Sequence, residues 1–124
     1  MAPSADYLAF LQDQLRGLGT ITTRRMFSGA GLYCDGVIFA LILRDTLYFK
    51  VDDSNRQAFE AEGLAPFTYQ AGGQTRTIGA YWQIPERLFD EPDEMLEWAR
   101  GALAAGQRAA AQKRPKTRRG RGGR

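Results

Sequence analysis

Side chains that could do catalytic chemistry are scarce in this sequence. It contains no histidine and a single cysteine, Cys34. Histidine is the usual general base near neutral pH, the commonest zinc ligand and the partner of catalytic serine and cysteine, so its absence removes all of these arrangements. Two carboxylate pairs, Asp52 with Asp53 and Asp93 with Glu94, stand where predicted helices begin and need capping or first-turn acids. We therefore expect no catalytic residue, no cofactor and no metal ion, and a protein that is not an enzyme.

Two neighbouring features could instead bind an anion. Arg24 and Arg25 are adjacent on a predicted strand, so they point to opposite faces, and one of them approaches the covered side unless it lies at the sheet edge. The cluster Gly29-Ala30-Gly31 lacks the lysine of a P-loop and the following helix of a dinucleotide fingerprint, so a tight turn or bulge is the preferred interpretation. The alternative is a small-ligand or nucleotide-binding module that uses Arg24 or Arg25 for a phosphate or partner carboxylate, together with the Gly29 to Gly31 turn.

Aromatic residues are frequent in the predicted strands and have two interpretations. They could form a platform on which nucleic-acid bases stack, which requires aromatic and basic groups on one exposed face. Only Lys50 and Arg76 lie near them in the sequence, so core packing and cross-strand pairing are favoured. The residues concerned are Tyr33, Tyr48, Phe49, Tyr69, Tyr81 and Trp82.

The charge of the chain is divided between two regions. Residues 108–124 carry eight of the 17 basic residues and none of the 14 acidic ones, so the rest of the chain has a net charge of −5. Because this segment contains proline, glycines and no bulky apolar residue, we expect a disordered basic tail. Cations on such an arm bind nucleic acid or anionic surfaces with steep salt dependence, although such tails also serve solubility. The eight are Arg108, Lys113, Arg114, Lys116, Arg118, Arg119, Arg121 and Arg124.

The hydrophobic pattern predicts one α+β domain in residues 1–107. A first helix begins at the N-cap Ser4, a short second helix ends before Gly63, and a third begins near Asp90 and fades near Gln107. Strands joined by hairpins, with Asp35-Gly36 the strongest turn signal, predict an antiparallel sheet with helices packed on one side. The predicted strands are Ile21 to Phe27, Leu32 to Cys34, Val37 to Leu43, Leu47 to Val51, Phe67 to Ala71 and Thr75 to Ile84.

Nothing in the sequence directs the chain to a membrane. The longest apolar run, Val37 to Leu43, is far too short to span a bilayer, and the N-terminus lacks the features of a secretory signal. A lone cysteine cannot form an internal disulfide, which fits a reducing compartment. We expect a cytoplasmic protein.

Several segments together resemble the N-terminal domain of the TfoX/Sxy family over about residues 5–105. They follow one another in the family's order, and their coincidence makes the resemblance specific. The segments are RRMFSGAGLY from Arg24 to Tyr33, VIFALI from Val37 to Ile42, LYFKVD from Leu47 to Asp52, PFTY from Pro66 to Tyr69, YWQIP from Tyr81 to Pro85 and LEWA from Leu96 to Ala99.

The resemblance implies a fold in the order α-β-β-β-α-β-β-α, similar to secretion chaperones, which suggests a homodimer by analogy. Full-length members regulate natural competence in bacteria, working with the cyclic-AMP receptor protein at its target promoters, and carry a C-terminal helical domain. Here the basic tail stands where that domain would begin, so we expect a stand-alone N-terminal domain. The resulting hypothesis is a non-enzymatic regulatory or adaptor protein whose domain binds a protein partner and whose tail contacts nucleic acid.

Overall fold

The chain begins with a capped amphipathic helix. The computed structural model describes residues 4–26 and 29–122, with side chains as far as residue 112. Helix α1 spans Ala5–Gln14, and the Ser4 hydroxyl oxygen accepts a hydrogen bond from the Tyr7 amide at 3.1 Å, which confirms the predicted N-cap. Leu8 and Leu11 lie on the buried side of α1, because residues three apart share one helix face.

Four strands follow as a meander in which each strand pairs antiparallel with the next. The turn between the second and third strands is Asp35-Gly36, where φ is 52° and 80°, the positive values that a two-residue hairpin requires. The residue pattern predicts four strands here, whereas the order implied by the family resemblance has three; the structure has four. The strands are β1 (Ile21–Met26), β2 (Gly29–Cys34), β3 (Val37–Leu43) and β4 (Thr46–Lys50).

The second half of the chain adds a hairpin between two helices. Gly72 and Gly73 form its turn with positive φ values of 59° and 77°, as the sequence predicts. Within the residues that the structure describes, no helix combines the length and apolar character needed to cross a membrane. The elements are α2 (Arg56–Ala61), β5 (Pro66–Ala71), β6 (Gln74–Gln83) and α3 (Pro92–Gly122), with single 3-10 turns at Arg16–Leu18 and Glu86–Asp90.

The six strands form one antiparallel sheet in the order β1-β2-β3-β4-β6-β5. Helix α3 packs across β3 and β4, and α1 approaches β1. Leu11 of α1, Phe59 of α2 and Met95 of α3 belong to one buried cluster with Ile42 and Phe49 of the sheet. All three helices therefore cover the same side of the sheet, which confirms the predicted α+β class and its one-sided packing.

The pairing of β2 with β3 shifts by one residue at Phe39. Leu32 lies opposite Ala40 while Tyr33 lies opposite Ile38, so Phe39 is the extra residue of a β-bulge. Phe39 and Ala40 are adjacent and both fully buried, whereas side chains alternate between faces in a regular strand. The bulge thus allows two successive residues of β3 to contribute to the core.

Helix α3 approaches the sheet closely because small residues line its buried side. Ala99, Ala102 and Ala105 are buried, and a Cβ atom added at Gly106 would lie 2.5 Å from the carbonyl oxygen of Ile38. The prediction that this helix fades near Gln107 is wrong, since α3 continues to Gly122. Alanine and arginine, which are frequent beyond residue 107, are both good helix formers.

A cluster of ion pairs centred on Arg87 joins three parts of the chain. Its guanidinium contacts Glu62 after α2 at 2.5 Å, Glu94 in the first turn of α3 at 2.8 Å and Glu91 at 3.2 Å. The Arg87 hydrogen bonds hold the pKa of Glu94 at about 2. The pKa of Glu91 is raised, chiefly because it shares a hydrogen bond with Glu94.

Replacing Phe39 with alanine should destabilise the domain by about 3 to 5 kcal/mol, because it removes a fully buried ring and leaves a cavity. Urea denaturation followed by circular dichroism measures the loss. Phe10→Ala is the matched control, since Phe10 on α1 is 46% exposed and should cost less. Equal losses in the two variants would contradict the core position of Phe39.

The Glu94 carboxylate should titrate near pH 2 in the folded protein. Because its folded pKa is depressed, its contribution to stability is present above its ordinary pKa of about 4.5 and disappears as the pH falls towards 2. Carboxyl NMR of the wild type and of Arg87→Gln checks this, with the variant expected to raise the Glu94 pKa. Arg56→Gln, a control on α2, should leave it in place; an unchanged Glu94 titration in Arg87→Gln would refute the assignment.

Candidate interaction surface

The side of the sheet opposite the three helices is here called the open face. Cross-strand neighbours share a face, so the series Arg24, Gly31, Leu41 and Tyr48 runs across it from β1 to β4. The ring of Phe67 in β5 packs edge-on against Tyr48 with centroids 5.0 Å apart, so the Phe67 side chain also lies on the open face. Side chains on the open face are half-buried or exposed, whereas those on the helix side are mostly buried.

The aromatic residues considered in the sequence analysis divide between the two faces. Phe49 and Trp82 lie opposite each other on the helix side and are buried, as core packing predicts. The four tyrosines occupy the open face, where Arg24, Lys50 and Arg76 also lie. The sequence therefore missed a combination of aromatic and basic groups on one face. The four tyrosines are Tyr33, Tyr48, Tyr69 and Tyr81.

These rings already have partners across their faces. The Arg24 guanidinium lies over the Tyr33 ring at 5.4 Å, and the Lys50 ammonium lies over the Tyr81 ring at 4.9 Å. Phe67 stacks on Tyr69 with centroids 6.0 Å apart. Burial, with a smaller effect of Tyr33, raises the pKa of Tyr81 to about 12, so this hydroxyl stays protonated.

Arg24 and Arg25 point to opposite faces, as the strand geometry predicts. Both are exposed, because β1 is the edge strand of the sheet. Arg25 pairs in register with Ala30, whose side chain is buried on the helix side. The two arginines thus do not converge on one ligand from one face.

The segment Gly29 to Gly31 is part of strand β2 and not a turn, which corrects the sequence interpretation. A Cβ atom at Gly29 would collide with the carbonyl oxygen of Ile42, and one at Gly31 would lie 2.8 Å from the methyl group of Met26. The space beside both glycines is therefore filled by protein atoms. These glycines permit close packing between strands and leave no cradle for a phosphate.

The acidic residues all lie outside the strands of the sheet. All 14 of them fall outside the six strands, while the charged residues within the strands are Arg24, Arg25, Lys50 and Arg76. No group of three or more acids or thiols among the described residues could hold a metal ion. Asp52 and Glu94, from the two pairs considered as catalytic candidates, instead bond to Arg108 and Arg87. The open face consequently carries positive charge on its strands and no strand carboxylate.

The first residue of the predicted tail belongs to the folded domain. Arg108 lies in α3, and its Nε and Nη2 atoms donate to the two Asp52 carboxylate oxygens at 2.7 and 3.0 Å. This corrects the predicted boundary at residue 107 for Arg108. The remaining seven basic side chains lie outside the described residues, so their contact with nucleic acid stays a prediction: Lys113, Arg114, Lys116, Arg118, Arg119, Arg121 and Arg124.

Cys34 has a structural position. It is buried beside the end of β2, and its thiol lies 3.9 Å from the Leu18 carbonyl oxygen. Burial raises the pKa of the thiol, which keeps it protonated and weakly nucleophilic.

Replacing Arg108 with glutamine should raise the pKa of Asp52, because the Arg108 hydrogen bond is the main cause of its depressed value. Carboxyl NMR titration measures the change. Arg100→Gln removes a cation elsewhere on α3 and should leave the Asp52 titration unaltered. If Arg108→Gln also leaves it unaltered, the pair does not anchor α3 in solution.

Comparison with known proteins identifies the domain. A family model described as the TfoX N-terminal domain matches residues 13–106, which is more than half of the chain. No curated protein matches the sequence. The match runs from the end of α1 to the Gly106 contact between α3 and β3, so it covers the whole sheet and the first half of α3. The chain belongs to the TfoX N-terminal domain family, a membership that suggests a regulatory or adaptor role.

Proposed function

We propose that this protein is a non-enzymatic regulatory adaptor that acts in the cytoplasm. Its folded domain binds another protein, and its basic C-terminal segment contacts nucleic acid. The observation that carries the proposal is the division of charge along the chain: all 14 acids precede residue 98, and residues 108–124 hold eight cations and no acid. Membership of the TfoX N-terminal domain family supports the regulatory part.

The anchoring of α3 supports a nucleic-acid arm at this end of the chain. Met95, Ala99 and Ala102 bury one side of the helix against the sheet, and the Arg108 pair with Asp52 fixes the next turns. The helix then continues to Gly122. The arm extends from a packed helix and therefore starts at a fixed position on the domain. A protein bound to the domain is then held close to nucleic acid bound to the arm.

The chemistry of the domain supports binding as the activity. The sequence has no histidine, and its only thiol is buried. Asp52 and Glu94, one from each candidate pair, are engaged with Arg108 and Arg87, and the glycine cluster is packed within β2. A surface of exposed strands and a cationic segment are features of recognition. Transcription regulation, the role of TfoX/Sxy competence regulators, is the form of adaptor function that we propose.

Removing residues 113–124 should abolish most binding to a short duplex DNA, because seven of the eight terminal cations are lost while the Arg108 pair with Asp52 is retained. Each phosphate contact contributes about 0.9 to the slope of log affinity against log salt concentration. Fluorescence anisotropy between about 50 and 200 mM salt measures that slope. For the full chain we expect a slope that corresponds to several phosphate contacts. For the truncated chain we expect a much shallower slope.

A full-length variant with these seven cations changed to glutamine is the matched control, since it keeps the length of the segment. It should behave like the truncated chain, and both should retain the thermal stability of the wild type. Equal slopes in all three proteins would overturn the nucleic-acid arm. Absence of DNA binding in the wild type would have the same consequence.

A further inference from the structure

The open face is more apolar than a solvated sheet face. In an antiparallel sheet with one covered side, strands normally alternate between apolar and polar residues, and a continuous apolar run is typical of strands buried on both sides. Strand β3 reads VIFALIL without a polar residue, yet the described helices cover only one of its sides. Its open-face residues Ile38 and Leu41 are half-buried. Strand β3 therefore has the composition of a strand with a second covering layer.

The exposed end of this surface lies on the β5–β6 hairpin. Tyr69 is 41% exposed and Ile78 is 36% exposed, two of the three large apolar residues that are exposed in the described part of the chain. Ile78 lies opposite Phe67, and Phe67 packs against Tyr48, so the exposed residues continue the apolar surface of β3 and β4. Tyrosine, isoleucine and phenylalanine in one contiguous area are characteristic of a protein interface core.

Basic residues flank this apolar area at two edges. Arg24 lies on β1, and Arg76 lies opposite Tyr69 on β6. Four strand spacings, about 19 Å, separate β1 from β6 in the sheet order. The row of Arg24 meets β6 at Gln83, and Arg76 lies four β5 residues, about 13 Å, further along the strands, so the two arginines are about 23 Å apart. Since no strand carries a carboxylate, an occupant of the open face would meet an apolar centre with Arg24 and Arg76 at its edges and Lys50 over the Tyr81 ring.

The charge of the open face disfavours two occupants from within the protein itself. A second copy would bring its own Arg24 and Arg76 towards the same residues, and residues 108–124 are cationic as well. Like charges brought together in this way disfavour both associations. Stacked bases fit poorly too, because Arg24 covers the ring of Tyr33 and Lys50 covers that of Tyr81.

We propose that the open face docks a segment of another protein that combines apolar side chains with carboxylates. This deepens the adaptor function proposed above and rests on it. The apolar side chains of the partner cover Leu41, Tyr48, Phe67 and Ile78, and its carboxylates reach Arg24 and Arg76. A partner helix that crosses the sheet obliquely would span the roughly 23 Å between the two arginines in about 15 residues, so carboxylates near its two ends meet Arg24 and Arg76.

The experiment is a selection from a display library of random peptides about 16 residues long, which as helices exceed the required span. The bait is the full chain, and the counter-selection uses the full chain with Arg24→Glu and Arg76→Glu. Peptides that adhere to the basic C-terminal segment bind both proteins and are removed. We expect the remaining peptides to be enriched in Asp and Glu together with Leu, Ile, Phe or Trp.

A peptide recovered in this way is then synthesised and titrated. Its affinity should fall about tenfold or more in the double charge reversal and also in Ile78→Ser, which removes an exposed apolar contact without changing charge. Arg100→Glu, a charge reversal on α3 behind the sheet, should leave the affinity within about twofold. Circular dichroism of each variant establishes that the fold is retained.

Several results would overturn the proposal. These are a selection with no enrichment over the charge-reversed bait, enrichment of neutral or basic peptides, and equal affinity for wild type and Ile78→Ser. A dimer in analytical ultracentrifugation that Ile78→Ser dissociates would assign the face to a second copy. Binding of oligothymidine to the chain lacking residues 113–124, lost in Arg24→Glu with Arg76→Glu, would assign it to nucleic acid. The duplex-DNA slope tests the C-terminal arm separately, so failure of the docking face and failure of the arm are distinguishable.

Discussion

The close contact between α3 and β3 is the constraint on which the rest of the domain depends. Ala99, Ala102 and Ala105 let the helix backbone approach the sheet, and Gly106 meets the carbonyl oxygen of Ile38, where a methyl group would not fit. This contact brings the fully buried Phe39 of the β-bulge and Met95 into one core. It also fixes the direction in which α3 leaves the domain, and Arg108 then extends the attachment by pairing with Asp52 ahead of α2.

Because all three helices pack on one side, the sheet has two chemically different faces. The helix side buries aliphatic and aromatic residues, and the acids of the chain lie in helices, turns and loops. Many of these acids have structural roles: Glu62 and Glu94 hold Arg87, while Asp52 accepts from Arg108. The open face keeps apolar residues and the cations Arg24 and Arg76. One-sided packing thus creates both a stable core and a second face that combines apolar area with positive charge.

The chain contains no histidine, and its single cysteine, Cys34, is buried. A binding surface requires no perturbed acid or base, only shape, apolar area and charge. The depressed pKa of Glu94 has a structural cause, since Arg87 lies between the end of α2 and the start of α3. The perturbed titration of Glu94 therefore reports on how the helices are tied together.

The sequence by itself determined the local structure, because capping, turn chemistry and hydrophobic periodicity act over a few residues. Ser4 at the start of α1, the Asp35-Gly36 hairpin and the one-sided α+β arrangement follow from these patterns. Only the tertiary structure decided how distant residues meet. The bulge at Phe39, the strand position of Gly29 to Gly31 and the Arg108 pair with Asp52 depend on register and on contacts between elements far apart in the chain. The same holds for the open face. The alternation of residues within each strand could be predicted from the sequence, but the side of the sheet that the helices leave uncovered is set by packing.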